Sequence, residues 1–351
     1  MRILVYEFVT GGGYAGRRVP ASLAREGLAM RTALVADLAS IGSHQIVTTM
    51  DRRFRRPAPR GVDVVEMASG PQALPESLFE SIDAVWLVAP ETNRCLERLA
   101  RRVERRGKMR LGSDAAAIRR ASDKGSYPRH LARAGVRYPE TVVLTARSEA
   151  RGAAKRLGYP VVIKPRRGAG SLGVRLARGP EDLLCALKEI RNIQVAAAEV
   201  FGEHLGDQDI VMQRYVAGIP ASVSLLADGR RAIALAVNAQ RLRIASDVSY
   251  RGGRTPLEHP STADAMDAAV RTCEALPGLR GYLGVDLVLT DSGPVVIEVN
   301  ARLTTAYLGV RAALDENVAA LAIDACLGVL PRQPVVRRRV RFTASGLVAA
   351  A

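Results

Sequence analysis

Short, continuously apolar runs alternate with mixed polar and apolar stretches through the first third of the chain. Strands of a parallel sheet are buried on both faces, so such runs predict parallel strands, and the stretch at 19–26 predicts a helix. The predicted strands cover residues 2–9, 32–37, 62–66 and 83–88. This strand–helix alternation predicts a small open α/β domain over residues 1–112.

The pattern beyond residue 112 predicts helices and strands in mixed order, without an internal repeat. Helices are predicted at 113–120, 123–134, 148–157, 180–190, 262–275 and 315–328, and Ser122 is the expected N-cap of the second. Strands are predicted at 141–144, 159–165, 174–176, 209–216, 222–226 and 232–237, and an antiparallel hairpin at 283–300.

The composition is that of a large globular protein. The chain has 351 residues, of which 48% are hydrophobic, enough for two or three domains with buried cores. No run of 18 apolar residues is present, so we expect no membrane-spanning helix. The N-terminus lacks the apolar segment of a secretory signal, and the cytoplasm is the expected compartment. The four cysteines and four histidines are too scattered for a disulfide framework or a zinc site.

The net charge of +16 makes nucleic-acid binding an obvious hypothesis. However, 46 of the 51 basic residues are arginines, a bias that base composition of the genome also produces. The clusters are local, at 52–56 and 337–339, and aromatic residues make up only 4% of the chain, which leaves few platforms for stacking bases. We therefore favour a solvated positive surface and keep a basic nucleic-acid-binding protein as an alternative.

The most informative segment is the predicted hairpin, whose two apolar strands flank a turn of Asp, Ser and Gly. A turn centred on Ser292 places Asp286 opposite Glu298, with Cβ atoms about 4.5–5.5 Å apart, and Asn300 on the same face. Facing carboxylates repel each other, and a divalent cation with oxygen ligands removes that repulsion. We predict a Mg²⁺ site at Asp286, Glu298 and Asn300; a solvated edge hairpin is the alternative. Arg302 follows, and its guanidinium is suited to clamp a phosphoryl group.

Two lysines and a glycine-rich loop suggest phosphate binding. Lys164 ends an apolar strand, although a buried stem with an ammonium reaching water is the structural alternative. Lys124 is placed at the start of a predicted helix. The loop at 168–173 matches GxGxxG, but a dinucleotide site requires that loop to open a helix, and here a strand is predicted to follow. Such a loop between strands can close over phosphates with its backbone N–H groups.

The order of these features resembles the ATP-grasp superfamily over about residues 113–330. The resemblance implies an ATP-grasp fold, of mixed α/β and α+β class, with an N-terminal pre-ATP-grasp domain at 1–112. A central lid subdomain would cover 113–215 and a C-terminal subdomain with the metal-binding hairpin 216–351. It also implies a carbon–nitrogen ligase that uses ATP and Mg²⁺ or Mn²⁺, joins a carboxylate to an amine through an acyl phosphate, and forms a homodimer.

By that resemblance, Lys124 and Lys164 contact ATP phosphates, and Arg302 and Lys164 act on the transferred phosphoryl group. The closing loop would consist of Gly168, Gly170, Ser171 and Gly173, and the adenine would be lined by Gln213, Tyr215 and Val216. Asp286, Glu298 and Asn300 would hold the metal. This chain departs from the family at Gln213, where many members have Glu. It also departs after Gly218, where an acidic residue often binds the ribose.

Within the superfamily, residues 6–12 and 300–307 are similar to the tyramine–L-glutamate ligase group of methanofuran biosynthesis. The similarity makes Glu7, Thr304 and Thr305 candidate substrate contacts and implies glutamate and an aromatic amine as substrates, in the synthesis of a C1-carrier cofactor. An NAD-dependent dehydrogenase built on one of the glycine loops remains a further alternative. The hairpin carboxylates fit neither that alternative nor nucleic-acid binding.

Overall fold

The computed structural model describes residues 1–14, 16–67, 74–201 and 210–351, and its strands form three sheets that follow one another along the chain. The first sheet is parallel, and the second and third are antiparallel. One cluster of buried apolar side chains extends from the first sheet into the third. The second sheet has a core of its own and is therefore a separately packed unit.

The first sheet is built from β1 (Arg2–Glu7), β2 (Gln45–Asp51), β3 (Val62–Met67), β4 (Ala84–Val88) and β5 (Met109–Arg110). Its helices are α1 (Ala21–Ser40), α2 (Glu76–Glu80) and α3 (Cys95–Arg105). The strand order β3-β2-β1-β4-β5 reverses between β1 and β4. In open α/β sheets, the loops at the carboxyl ends of strands on either side of such a reversal face the ligand. Here those loops carry Glu7 and Glu91.

Helix α1 corrects two predictions in this sheet. The helix predicted at 19–26 continues to Ser40, and the strand predicted at 32–37 is part of it. The buried positions Met30, Leu34 and Leu38 recur at helical spacing, so the apolar run is one face of a helix and not a strand. Strand β1 pairs with β2 and β4, and of these two the sequence analysis predicted only β4.

The second sheet consists of β6 (Thr141–Leu144), β7 (Val161–Pro165), β8 (Arg175–Ala177) and β9 (Ile210–Arg214), in the order β6-β9-β7-β8. The helices of this part of the chain are α4 (Ala115–Ser122), α5 (Tyr127–Arg133), α6 (Ala150–Leu157) and α7 (Pro180–Phe201), and of these α6 and α7 pack in the core of the second sheet. Short 3-10 turns cover Arg52–Phe54, Thr92–Arg94 and Arg147–Glu149. The predicted capping role of Ser122 is wrong, because Ser122 is the last residue of α4 and α5 begins at Tyr127. Residue 209 of the predicted strand at 209–216 lies outside the described residues.

The third sheet comprises β10 (Ile219–Asp228), β11 (Ala232–Ile244), β12 (Val248–Thr255), β13 (Arg280–Thr290), β14 (Gly293–Asn300), β15 (Val340–Thr343) and β16 (Val348–Ala350). Its order is β14-β13-β10-β11-β12-β15-β16. The helices of this part are α8 (Thr262–Glu274), α9 (Tyr307–Ala313) and α10 (Val318–Cys326). Strand β12 and helix α9 were not predicted. Among the described residues, no helix combines the length and the apolar character that crossing a membrane requires.

Candidate active site

The hairpin of β13 and β14 places Asp286 directly opposite Glu298, as predicted, but by a different route. The turn contains two residues, Asp291 and Ser292, because Thr290 pairs with Gly293. Continued without interruption, that register would pair Asp286 with Ile297. Instead the register shifts by one residue between Asp286 and Leu287. Ile297 is thus the extra residue of a β-bulge, and the bulge brings both carboxylates to one position of the ladder.

The carbonyl group of the bulged residue has a partner outside the hairpin. The hydroxyl of Tyr127 on α5 donates a hydrogen bond to the Ile297 carbonyl oxygen at 2.6 Å. Tyr127 is 1% exposed, and burial raises the pKa of its phenol. A bulge leaves its extra residue out of the ladder, so an added donor stabilises the bulged conformation. The sequence analysis did not identify this residue.

The two hairpin carboxyl groups have different electrostatic surroundings. Burial and the charge of Glu298 raise the pKa of Asp286 to about 7, although Asn300 and Gln240 donate amide hydrogen bonds to it at 3.1 and 2.8 Å. Burial alone would raise the pKa of Glu298 as well, but Lys124 and Lys164 hold it below its usual range. A bound cation would lower the cost of ionising Asp286 beside Glu298.

The two predicted lysines converge on this hairpin from different elements. The Lys124 ammonium lies 2.9 Å from Glu298 Oε1 and donates to the Gly168 carbonyl oxygen at 3.0 Å. Lys164 is 3% exposed on β7, and burial lowers its pKa to about 8, with Glu298 opposing that shift. Lys124 lies in the turn between α4 and α5 and not at a helix start, which corrects the predicted placement. Both lysines therefore interact with Glu298.

The glycine-rich loop connects β7 to β8, so it lies between strands as predicted. Gly170, Ser171 and Gly173 have φ angles of +65°, +60° and +76°, a region in which glycine is unstrained. The loop does not open a helix, so it lacks the geometry of the dinucleotide site that a dehydrogenase requires. At its start, Arg166 and Arg167 bind the buried Asp123, with N–O distances of 2.5 and 3.0 Å.

Arg302 is held against the first sheet. Its guanidinium is paired with Glu91, which follows β4, at 3.1 Å, and the two side chains are 12% and 2% exposed. Burial raises the pKa of Glu91 while Arg302 opposes that shift. Burial alone would lower the pKa of Arg302, but Glu91 reverses the effect. The sequence analysis missed Glu91, because no local pattern shows that this loop faces the hairpin.

The predicted adenine-lining residues lie at the end of β9. Gln213 is 3% exposed, and its side-chain amide donates to the Thr141 hydroxyl at 2.8 Å, so a strand neighbour fixes it. The Tyr215 N–H donates to the Pro160 carbonyl oxygen at 3.2 Å, and the side chains of Tyr215 and Val216 are half-buried. Their role toward adenine stays a prediction.

The three candidate substrate contacts differ in position. Both carboxylate oxygens of Glu7 accept hydrogen bonds within its own loop, from the N–H groups of Val9 and Thr10 and from the Thr10 hydroxyl, at 2.9, 2.7 and 2.6 Å. At 1% exposure, Glu7 therefore shapes that loop, and its role toward a substrate stays a prediction. Thr304 is half-buried beside Tyr282, and the Thr305 hydroxyl donates to Glu26.

Two models of known protein families match this chain. Residues 121–306 match the model of the ATP-grasp domain, and residues 44–118 match that of the pre ATP-grasp 3 domain. The chain belongs to the ATP-grasp family. The fold and the family predicted from the sequence are thus confirmed.

Individual relatives match different shares of this ATP-grasp chain. Tyramine–L-glutamate ligase of Methanocaldococcus jannaschii is 29% identical over 108 residues, which are 31% of this chain and 34% of that protein. The carbamoyl phosphate synthase large chain of Rubrobacter xylanophilus is 27% identical over 236 residues, 66% of this chain and 21% of that one. The crystal structure of an Archaeoglobus fulgidus protein assigned to the ATP-grasp superfamily has 27% identity and a TM-score of 0.67, with 97% of this chain and 92% of that chain covered.

ATP-grasp enzymes use ATP and a divalent metal, and the side chains of the hairpin fit such an ion. The set consists of two carboxylates and an amide, which offers the oxygen ligands that Mg²⁺ prefers. In the described ranges, no group of three or more His, Cys, Asp or Glu residues is arranged to hold a metal. A small protein ligand set is what Mg²⁺ uses when nucleotide phosphates complete its coordination.

Proposed function

We propose that this ATP-grasp protein is a carboxylate–amine ligase that forms an amide through an acyl phosphate. One observation carries the proposal: Asp286 and Glu298 face each other on the hairpin, and the buried Lys124 and Lys164 approach the same pair from two other elements. Phosphoryl transfer needs carboxylates that hold a cation and positive groups that bind the phosphates, close to each other. This cluster provides two of each.

The roles of the residues follow from these positions. Asp286, Glu298 and Asn300 would hold Mg²⁺ or Mn²⁺, which would neutralise charge on the phosphates. Lys124 and Lys164 would bind the phosphates, and Lys124 already connects Glu298 to the glycine loop through Gly168. The loop residues Gly168, Gly170, Ser171 and Gly173 would close over ATP and exclude water.

Arg302 would stabilise the phosphoryl group during its transfer, because Glu91 orients its guanidinium beside the hairpin. Gln213, Tyr215 and Val216 would line the adenine. We also propose the domain division 1–112, 113–215 and 216–351. The separate core of the second sheet supports a lid subdomain that moves relative to the others.

The reaction takes place in two steps. A carboxylate oxygen attacks the γ-phosphorus of ATP, so an acyl phosphate forms and ADP leaves. The nitrogen of a deprotonated amine then attacks the acyl carbon, so the amide bond forms and inorganic phosphate leaves. The side chains of the enzyme position the reactants and stabilise charge, and no covalent bond to the protein is formed.

The substrates that we propose are L-glutamate and tyramine or a similar aromatic amine, in C1-carrier cofactor synthesis. The name of the M. jannaschii relative, tyramine–L-glutamate ligase, and the similarity of residues 6–12 and 300–307 to that group support this choice. A cytoplasmic location and a homodimer without nucleic acid complete the proposal.

The test is ADP release by the purified protein with Mg·ATP, L-glutamate and tyramine. We expect release to require both substrates and to stop when EDTA removes the metal. Glu298→Ala is expected to lower the rate by at least about a hundredfold, a loss typical of a removed electrostatic contact in a transition state. Asp291→Ala, which removes an exposed carboxylate at the turn of the same hairpin, serves as the matched control and should keep the wild-type rate. Full activity of Glu298→Ala would refute the metal site.

A further inference from the structure

A second group of polar side chains lies beside the metal-binding hairpin, on the side of the first sheet. Glu26, on α1, accepts a hydrogen bond from the Thr305 hydroxyl through one carboxylate oxygen. In the described part of the chain, its other oxygen has no hydrogen-bond partner, and no lysine or arginine forms an ion pair with it. Arg302, the basic side chain that affects it electrostatically, is already paired with Glu91.

The packing of α1 explains how Glu26 reaches this place. The next residue, Gly27, lies so close to the Glu7 loop that a Cβ atom there would be 2.7 Å from Glu7 Oε1. A larger residue would push the helix away, so glycine permits the close approach. Glu26 is thereby placed next to Thr305, just beyond the end of β14.

Tyr250 of β12 approaches the same region from the third sheet. Its ring packs against a small apolar cluster of Ala306, Leu308 and Phe342, against which Ala29 and Ala33 of α1 also pack. Ala306 directly follows Thr305, the residue that donates to Glu26. Burial raises the pKa of the Tyr250 phenol, and the charges of Asp286 and Glu26 add to that shift. The Tyr250 hydroxyl makes no hydrogen bond to the described residues. Glu26 and Tyr250 thus hold two unused acceptor atoms close to the hairpin.

We propose that Glu26 and Tyr250 bind the ammonium group of a substrate beside the metal-binding hairpin. Desolvation raises the pKa of the half-buried Glu26. A substrate ammonium would offset that desolvation cost by donating hydrogen bonds to the free Glu26 carboxylate oxygen and to the Tyr250 hydroxyl oxygen. The proposal rests on the ligase function proposed above and names the chemical group that the site recognises. Two substrates carry such a group: the amine itself, and the α-ammonium of an amino acid that supplies the carboxylate.

The experiment is isothermal titration calorimetry on the whole protein with Mg²⁺ and a non-hydrolysable ATP analogue. The probes form two pairs that differ in the ammonium group: tyramine with 4-ethylphenol, and L-glutamate with glutarate. The variants are Glu26→Gln, whose amide oxygen still accepts from Thr305, and the control Glu80→Gln, which removes an exposed carboxylate of α2.

We expect one ammonium probe to bind wild-type protein at least about tenfold more tightly than its partner without the ammonium group, and Glu26→Gln to abolish that preference, because the charged hydrogen bond is lost. A preference for tyramine assigns the site to the amine, and a preference for L-glutamate assigns it to the amino acid. The proposal is overturned if neither ammonium probe is preferred, or if Glu26→Gln retains the preference within twofold.

ADP release separates this proposal from the ligase function. Normal release by wild-type protein with an unchanged KM for both substrates in Glu26→Gln would overturn the ammonium site and leave the ligase function intact. Ammonium binding that depends on Glu26, without ADP release from any pair of carboxylate and amine, would overturn the ligase function and leave the binding site.

Discussion

At the scale of the residue, the scarcity of lysine is informative. The chain has five lysines among 51 basic residues, and two of them, Lys124 and Lys164, are 3% exposed and interact with Glu298. A lysine ammonium is a compact charge on a flexible stem, which suits the binding of phosphates that move during a reaction. A residue that only adds surface charge has no reason to be buried. The burial of these two lysines therefore distinguishes them from the exposed arginines that give the chain its positive surface.

The cysteines allow a prediction that depends on burial alone. Burial raises the pKa values of Cys95, Cys273 and Cys326 to about 12, whereas Cys185 lies on the exposed side of α7. Because the thiolate is the reactive form, we expect Ellman's reagent to modify one thiol rapidly in the folded protein and all four in denaturant. Cys185→Ser should remove the rapid phase, and rapid modification of two or more thiols would contradict the described burial.

At the scale of the element, the β-bulge at Ile297 decides which face Glu298 occupies. Side chains alternate along a strand, so without the extra residue Glu298 would lie opposite Val285, on the other side of the sheet from Asp286. The hydrogen bond from Tyr127 supports the bulge and links α5, which follows Lys124 by three residues, to the strand that carries the proposed metal ligands. One tyrosine thereby connects the turn of Lys124, which we propose to bind phosphate, to the hairpin.

We therefore predict that Tyr127→Phe weakens metal binding. The loss leaves a buried carbonyl without its donor, at a cost of about 1 kcal/mol or more, which corresponds to a rise of about fivefold in the Mg²⁺ concentration for half-maximal ADP release. A role confined to packing would lower the melting temperature without that shift. Tyr138→Phe, which changes a half-buried tyrosine just after α5, is the control and should leave the Mg²⁺ dependence unchanged.

At the scale of the whole molecule, ion pairs and hydrogen bonds join the first sheet to the third. Glu91 holds Arg302, and Asp37 of α1 binds Arg311 and the Tyr307 hydroxyl of α9. These contacts attach the N-terminal α/β layer to the hairpin end of the third sheet. The candidate site is consequently assembled by side chains from all three sheets, and its geometry depends on their docking.

The Glu91–Arg302 pair gives a prediction about stability. Glu91→Ala leaves a buried guanidinium without its partner, and breaking a buried pair costs on the order of 3 kcal/mol. The measurement is the free energy of unfolding from urea titration. Asp63→Ala, which breaks the exposed pair of Arg2 and Asp63 at 36% and 47% exposure, is the matched control and should cost less than about 1 kcal/mol. Equal losses in both variants would show that burial of the pair contributes nothing.

The sequence by itself determined the features that depend on neighbouring residues. Alternation of side chains and turn-forming residues were sufficient to predict the hairpin, and an apolar run ending in Lys164 was sufficient to predict β7. The pairing of Asp286 with Glu298 was predicted from a turn centred on Ser292, whereas in the structure it depends on the bulge at Ile297. The family resemblance followed from the order of these local motifs. Each of them results from interactions within a few residues, which the sequence displays directly.

Only the tertiary structure decided the features that depend on distant segments. A short apolar run such as 32–37 fits a strand or a helix face equally well, and its packing against the first sheet made it part of α1. Glu91, Glu26 and Tyr127 make hydrogen bonds with partners near the candidate site. Those partners are separated from them along the chain by 211, 279 and 170 positions, respectively. Side-chain burial and charge at such distances depend on how the three sheets pack, and no local pattern records that packing.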